Sequence, residues 1–329
     1  MNVRFFDPSK DYLRFKKGYD AAWESVNMRG DLILRQDVEE FEQRLLNYVG
    51  TKYAVAVSSG TDALYLSLKA LGIKGGVALP SYTFKATCGA VLNAGAIPVI
   101  YDMDGIIKQP FPKIEAHIPV HITGELSELK NIFGNVPIIE DSAQALGAVK
   151  NPTTSAQCWS FYPAKILGAK GDAGAVTTNN YSIYEYIKEA RNHFKTDNRD
   201  FGGNYRMDNL QAALLNIKIR HIDKILARRQ EIAEKYLEKL EGVGLPNNQK
   251  GRVWQDFIIY TEKRDALGDF LKEQGIETMR NEYPFSPQYP KLPLTVKYEA
   301  ETLRIPCNEN LTDEEVDYVI EKINEFAFL

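Results

Sequence analysis

The sequence predicts an α/β protein with a largely parallel sheet that helices cover on both faces. Short apolar runs of strand length alternate with segments whose apolar residues recur at helical spacing. Glycines end several of the helical segments, as at Gly50, Gly72 and Gly95. No internal repeat or low-complexity segment interrupts this alternation, which is typical of strand–helix–strand units and parallel strands.

The first 181 residues supply the predicted sheet. The first fifty residues are expected to form helical arms, and the segment 37–48 carries an apolar stripe at helical spacing made of Val38, Phe41, Leu45 and Tyr48. Strands are predicted at 53–57, 77–80, 98–102, 118–122, 136–140, 158–162 and 173–177. Helices are predicted at 63–71 and 84–93, with a short one at 126–133.

The chain changes character after Tyr181. We expect a helix at 184–193, a polar loop at 195–200 and helical sequence over 208–241. A segment rich in Gly, Pro and Asn at 242–251 is the expected domain boundary. It separates a large domain, 1–241, from a small C-terminal α+β domain, 242–329, with strand-like sequence at 253–260 and 302–305 and helices at 265–274 and 312–326.

Composition excludes several classes of protein. The 329 residues are 44% apolar and 26% charged with a net charge of -4, which gives no electrostatic case for binding nucleic acid or an anionic membrane. Cys88, Cys158 and Cys307 are too far apart for a zinc site or a disulfide framework, and no apolar run is long enough to span a bilayer. We expect a reduced, cytoplasmic protein without a metal site.

Two charged residues follow strands in a way that predicts chemistry. An apolar run ends in Glu140 and Asp141, and a second run over 157–162 precedes Lys165. A lysine amine that forms a Schiff base and a carboxylate that keeps a ring nitrogen protonated are what an imine-forming pyridine cofactor needs. A strand that ends in aspartate and a solvated lysine are both common, so these residues alone leave a structural interpretation open.

The run Ser58-Ser59-Gly60-Thr61 lies where a strand leads into a helix. A phosphate cup fits this position, because helix N-terminal amides and the helix dipole favour an anion. An ordinary helix cap fits it as well. Neither the P-loop spacing nor a G-x-G-x-x-G after a strand is present.

Other candidate residues also have a plain alternative. Phe84 at the start of a helix is suited to contact a cofactor ring, and a core aromatic is the alternative. Gln144, three residues after Asp141, is placed to donate to a ring oxygen. The segment 202–206 combines flexible backbone with polar groups that suit an anion, or forms a solvated turn.

Taken in order, these segments resemble the DegT/DnrJ/EryC1/StrS aminotransferases, pyridoxal-phosphate enzymes that mostly act on nucleotide-linked keto-sugars. The resemblance covers nearly the whole chain. The segments that carry it are Gly30–Leu34, Ser59–Leu64, Tyr82–Thr87, Gly95–Val99, Glu140–Ala145, Ser160–Lys165 and Gly203–Met207.

The resemblance implies an aspartate-aminotransferase-like (fold type I) large domain, pyridoxal 5'-phosphate as cofactor and glutamate as amine donor. Lys165 would be the Schiff-base lysine, Asp141 the partner of the ring nitrogen and Gln144 the contact to the ring hydroxyl. Phe84 would stack on the ring. The backbone of Gly60 and Thr61 and the Ser160 hydroxyl would hold the phosphate, and Asn204 would reach the phosphate of the other subunit, which implies a homodimer with shared active sites.

Within the resemblance, the expected product is an amino sugar for surface polysaccharide or glycoside biosynthesis. The chain departs from the family pattern at Gly75-Gly76, at Phe194, and in the segment 283–288, which lacks an expected histidine. None of these changes alters a residue expected to bind the cofactor. They lie in segments expected to contact the substrate. Two alternatives remain: a pyridoxamine-type sugar dehydratase, against which Lys165 argues because that branch carries histidine there, and a non-catalytic member that binds a nucleotide sugar.

Overall fold

The structure is a computed structural model that describes residues 1–108, 110–128, 132–197, 200–280 and 292–327. The helices are α1 (Pro8–Arg29), α2 (Gln36–Val49), α3 (Gly60–Ala70), α4 (Lys85–Asn93), α5 (Tyr181–Ala190), α6 (Asn209–Ile219), α7 (Ile222–Lys239), α8 (Arg264–Glu273), α9 (Pro293–Glu301) and α10 (Asp313–Ala327). The strands are β1 (Tyr53–Val57), β2 (Gly76–Pro80), β3 (Ile97–Tyr101), β4 (Ile114–His117), β5 (Ile139–Asp141), β6 (Ala156–Ser160), β7 (Gly174–Thr178), β8 (Phe257–Tyr260), β9 (Met279–Arg280) and β10 (Thr302–Ile305).

The large sheet is mixed and mostly parallel, as predicted. Its strand order is β1-β7-β6-β5 in one part and β3-β2-β4 in the other. Parallel bridges between His117 and Ile138 and between Val120 and Asp141 connect these parts. Of the described strands in this sheet, β7 runs antiparallel to its neighbours β1 and β6, whereas the pairs β2–β3, β2–β4 and β5–β6 are parallel.

Helices cover both faces of the large sheet, because successive residues of a strand point to opposite sides. Val55 and Val57 of β1 pack with α3, α4 and α5, whereas Ala56 between them packs with α1, α2 and α6 on the other side. In β6, Cys158 packs on the same side as Val55 and Val57, and Trp159 packs on the same side as Ala56. The carboxyl ends of the parallel strands therefore stay at one edge, between the two helical layers.

The last part of the chain forms a second sheet, antiparallel, in the order β8-β10-β9. Phe257 and Leu303 of this sheet pack with α8 and α10 in a third buried cluster. Ile232 and Tyr236, from the second half of α7, belong to the same cluster. In the described part of the chain, no helix combines the length and apolar character that crossing a bilayer requires.

Some predicted elements are displaced. The strand predicted at 118–122 is wrong, since β4 ends at His117. Pro119 has no N–H to donate to a neighbouring strand, and Thr123 adopts a left-handed φ of 57° in a short 3-10 turn, Ile122–Gly124. The short helix predicted at 126–133 lies partly outside the described residues, and its described part is not helical. The helical sequence at 208–241 forms α6 and α7, and α9 has no counterpart among the predictions.

Candidate active site

Asp141 ends β5 with a buried carboxylate, and 7% of the residue is exposed. Its Oδ2 accepts a hydrogen bond from Thr87 Oγ1 at 2.8 Å, and its Oδ1 accepts one from the Ala143 N–H at 3.2 Å. Burial raises the pKa of Asp141, and these donors together with the charges of Lys165 and His121 offset only part of that rise. The carboxylate is therefore fixed in place and favours a cationic or proton-donating partner.

Lys165 lies in the turn after β6, where its N–H donates to the Tyr162 carbonyl at 2.8 Å. Within the part of the chain that the structure describes, its Nζ has no hydrogen bond or ion pair. Burial lowers the pKa of this amine. Asp256 and Asp141 raise it in part, and Arg304 lowers it further. A lowered pKa increases the neutral fraction of the amine, which is the nucleophilic form.

The fold brings Asp141 and Lys165 to the same edge of the sheet. β5 and β6 are adjacent and parallel, with Asp141 in register with Cys158, so both strands end at that edge. The charge of Lys165 lowers the pKa of Asp141, and the charge of Asp141 raises the pKa of Lys165, so each group favours the charged form of the other. Open α/β sheets bind ligands at this edge.

Gly60 begins α3 directly beside Ser160, the last residue of β6. A Cβ atom at Gly60 would lie 2.8 Å from the Ser160 Cβ, so this approach requires glycine. Ser59 caps the helix, since its Oγ accepts a hydrogen bond from the Asp62 N–H at 3.1 Å. The N–H groups of Gly60 and Thr61 belong to the first turn, where the helix offers them no carbonyl partner. Ser59 thus caps the helix while the N–H groups of Gly60 and Thr61 stay available for an anion.

Gln144 lies half-buried in the turn after β5, and its side-chain oxygen is already engaged. The Oε1 accepts a hydrogen bond from the Thr123 N–H at 2.5 Å. Thr123 keeps its left-handed conformation because Arg252 Nη2 donates to its Oγ1 at 2.9 Å and the Gln255 N–H donates to its carbonyl at 3.2 Å. With its oxygen engaged, the Gln144 amide presents N–H groups as donors to a further oxygen.

Phe84 and Asn204 have exposed side chains in the single chain. Phe84 is the residue before α4 and is 61% exposed. Asn204 pairs through its backbone with Asn192, and the next carbonyl, that of Tyr205, accepts a hydrogen bond from the Ser58 N–H at 2.9 Å. This bond holds the segment that contains Asn204 near the start of α3.

Four residues that shape this site escaped the sequence analysis: Thr87, Thr123, Gly174 and Gln255. Thr87 had a weak signal, because Thr83 and Thr87 lie four apart at the start of a predicted helix, and their hydroxyls are 2.7 Å apart. Gly174 also had one, since glycine inside a strand marks a close approach of backbone. Thr123 and Gln255 act through contacts distant in sequence, and no local pattern indicates them.

The fold defines an α/β protein whose candidate site, at the carboxyl edge of the large sheet, combines a buried carboxylate, a helix N-terminus and an amine that has no bonded partner among the described residues. The chain belongs to the DegT/DnrJ/EryC1/StrS aminotransferase family, whose model matches residues 16–324. This match confirms the family expected from the sequence motifs and identifies the protein as an aminotransferase.

Known proteins similar to this chain include the dTDP-3-amino-3,6-dideoxy-alpha-D-galactopyranose transaminase of Aneurinibacillus thermoaerophilus. It is 33% identical, and the match covers 99% of this chain and 100% of the relative. The solved structure of S. venezuelae DesV in complex with a ketimine intermediate is 31% identical with a TM-score of 0.91, covering 99% of this chain and 98% of that one. NtdA from Bacillus subtilis, solved with bound cofactor PMP, is 27% identical with a TM-score of 0.89, covering 100% of this chain and 86% of that one.

Proposed function

We propose that this protein is a pyridoxal-phosphate-dependent aminotransferase that moves an amino group from glutamate to a nucleotide-linked 3- or 4-keto-sugar. The observation that carries the proposal is the Lys165 amine, which has a lowered pKa and no bonded partner in the described chain, beside the buried carboxylate of Asp141. The relative named as a dTDP-amino-sugar transaminase supports the choice of a nucleotide sugar. Its product would be an amino sugar for polysaccharide or glycoside biosynthesis.

The residues present fit pyridoxal 5'-phosphate. Thr87 and Ala143 each donate a hydrogen bond to one oxygen of the Asp141 carboxylate. This carboxylate would contact the ring nitrogen. The Gln144 amide would donate to the ring hydroxyl, since the Thr123 N–H already occupies its oxygen. A ring cation next to Asp141 would offset the burial that raises the pKa of this carboxyl.

The phosphate and the open face of the ring also have candidate partners. The N–H groups of Gly60 and Thr61 and the hydroxyl of Ser160 would hold the phosphate, because they converge at the helix N-terminus beside β6. Phe84 would stack on the ring through its exposed face. Asn204 would reach the phosphate of a second subunit, which makes the proposed enzyme a homodimer with shared active sites.

When bound, the cofactor supplies an aldehyde that condenses with amines and a protonated ring that withdraws electrons from the adjoining carbon. Lys165 would hold it covalently at rest. With a substrate bound, the Lys165 amine would be the base that accepts and returns the proton of the reacting carbon. Burial favours both roles, because it lowers the pKa of this amine and so increases its neutral fraction.

We further propose two domains, 1–241 and 242–329, in an aspartate-aminotransferase-like fold. The C-terminal sheet and its buried cluster support the small domain. Ile232 and Tyr236 precede the proposed boundary but pack in the cluster of the small domain. The end of α7 would therefore contact both domains.

The proposal is tested by replacing Lys165 with Ala, with Lys170→Arg in the same loop as the control. Lys170 pairs with Asp11, and arginine preserves its charge. Wild type and control should gain visible absorbance with pyridoxal phosphate and aminate a UDP-, GDP- or TDP-linked keto-sugar in the presence of glutamate, detected by mass. The Lys165 variant should do neither. Wild-type protein that stays colourless would favour the non-catalytic alternative, and amination by the Lys165 variant would remove this lysine from the mechanism.

A further inference from the structure

The backbone on both sides of Lys165 is bonded to a single distant side chain. The Ile166 N–H donates to Gln255 Oε1 at 3.0 Å, and Gln255 Nε2 donates to the Ala164 carbonyl at 3.0 Å. One planar amide thus pairs with the peptide groups that precede and follow Lys165, much as a neighbouring strand would. A side-chain amide can do this because it carries both a donor and an acceptor.

Gln255 is itself held firmly. It is 6% exposed, and its N–H donates to the Thr123 carbonyl at 3.2 Å. Its carbonyl accepts a hydrogen bond from Arg229 Nη1 at 3.0 Å, and the same guanidinium nitrogen donates to the Cys307 carbonyl at 2.9 Å. The side chain that contacts the Lys165 turn therefore belongs to a buried residue whose backbone N–H and carbonyl are both hydrogen-bonded.

The buried side chains of Ile166 and Leu167 anchor the turn in the core, and Gln255 adds hydrogen bonds to the backbone directly around Lys165. The Lys165 N–H donates to Tyr162 within the turn itself, and its Nζ is unpaired in the described chain. Gly168 tightens the turn, since a Cβ atom there would lie 2.1 Å from the Pro163 carbonyl oxygen. A lysine that alternates between a covalent and a free state needs a backbone that stays in place while the side chain moves.

We propose that Gln255 is a positioning residue that fixes the backbone of Lys165 for the reaction. This inference rests on the proposed function for the role of Lys165, whereas the contact itself is independent of any cofactor. Its two hydrogen bonds should reduce local opening of the turn and keep the amine within reach of the reacting carbon.

The test compares Gln255→Ala and Gln255→Glu with Gln211→Ala as a matched control. The Gln211 Oε1 accepts a hydrogen bond from the Lys170 N–H at 2.9 Å, so this control removes a bond of the same kind from the same loop, away from Lys165. Glutamate at position 255 retains an acceptor for Ile166, lacks the donor for Ala164 and adds a negative charge near the amine.

The first measurement is made on protein without cofactor. In Gln255→Ala, the rate of hydrogen–deuterium exchange in the peptide that contains Ile166 should rise about tenfold or more, because a buried hydrogen bond is lost. In Gln255→Glu, exchange should rise less, and the reaction of Lys165 with an amine-modifying reagent should shift to higher pH, since a nearby carboxylate raises the pKa of an amine. Gln211→Ala should leave both readouts at the Lys165 turn as in wild type.

The second measurement is transamination. Gln255→Ala should lower kcat by about 10- to 100-fold with a smaller change in KM, because the reacting amine is misplaced. If Gln255→Ala matches Gln211→Ala in both exchange and kcat, the inference is wrong. If Gln255→Ala does not fold, the pH profile of Gln255→Glu decides, and an unshifted profile overturns the inference. A wild-type protein that never binds cofactor would refute the proposed function, while the exchange result would still report on the contact.

Discussion

Replacing Gly174 with alanine should push β7 away from the start of α3, where the predicted phosphate position lies. Gly174 begins β7, and a Cβ atom there would lie 2.3 Å from the Ser59 carbonyl carbon, 2.4 Å from the Ser59 oxygen and 2.7 Å from the Gly60 nitrogen. All three atoms belong to backbone, which cannot rotate away as a side chain does. Reaching the 3.4 Å of an ordinary contact requires β7 and the start of α3 to move apart by about 1 Å.

The expected cost follows from overpacking a close-packed interior. Inserting a methyl group that forces backbone to shift costs about 1–3 kcal/mol in the free energy of unfolding. Gly89→Ala is the matched control, because Gly89 lies within α4 and its added Cβ atom would meet nothing within 4 Å. That change should stabilise the protein by about 0.5–1 kcal/mol, since alanine is the better helix former.

Urea unfolding of the cofactor-free variants, followed by tryptophan fluorescence, measures both changes. Titration with inorganic phosphate or pyridoxal phosphate then reports on the anion site, which Gly174→Ala should weaken by shifting Gly60 away from Ser160. A Gly174→Ala protein with an unfolding midpoint equal to that of Gly89→Ala would refute the packing argument. Unchanged phosphate affinity would refute the link between this contact and the anion site.

Two further substitutions test buried carboxylates. Thr87→Val removes a hydrogen-bond donor from Asp141, so the pKa of Asp141 should rise further. In an absorbance titration, pyridoxal phosphate should bind about 10- to 100-fold more weakly. An unchanged affinity would count against the role of this hydrogen bond. Burial opposes ionisation of Asp102, yet hydrogen bonds from N–H donors that include those of Leu294 and Thr295 lower the pKa of this carboxyl. The stability that ionised Asp102 contributes is therefore present above the ordinary aspartate pKa. This stability is lost as the pH falls through the lowered pKa of the folded state. Asp102→Asn should therefore cost about 1–3 kcal/mol in urea unfolding at pH 7 and progressively less below about pH 4, and a cost that stays constant with pH would contradict this account.

The alternation of strands and helices was sufficient to predict the large sheet, because local periodicity reports which side of an element is buried. It did not show that β7 is antiparallel, since strand direction depends on the path of the connecting loops. The strand expected at 118–122 was misplaced because an apolar run continues past His117, whereas the regular pairing of β4 ends there and an isolated bridge between Val120 and Asp141 follows. The placement of Asp141 and Lys165 at one edge of the sheet was predictable, because Asp141 ends β5 and Lys165 follows β6, its parallel neighbour.

Two departures from the family pattern have structural explanations. The Glu115 carboxylate accepts hydrogen bonds from the N–H groups of Lys74 and Gly75, and a Cβ atom at Gly76 would lie 2.8 Å from the Lys113 carbonyl oxygen. Phe194 replaces a glycine that the family usually has at this position. It keeps a left-handed φ of 52°, and its ring is buried against Tyr186 at 5.3 Å between centroids. Core packing thus accompanies an unfavourable backbone conformation. The third departure, in the segment 283–288, lies outside the described residues.

The contacts that sequence patterns could not indicate converge on one short segment, 252–255. Arg252 and the Gln255 N–H hold Thr123, which in turn orients the Gln144 amide. The Gln255 side chain holds the turn of Lys165 from 89 positions away. Residues on both sides of the proposed cofactor site therefore depend on the same buried stretch, which directly precedes the C-terminal sheet. Docking of that sheet against the large one is then a condition for assembling the site, and a substitution that loosens 252–255 should disturb the Gln144 amide and the Lys165 turn together.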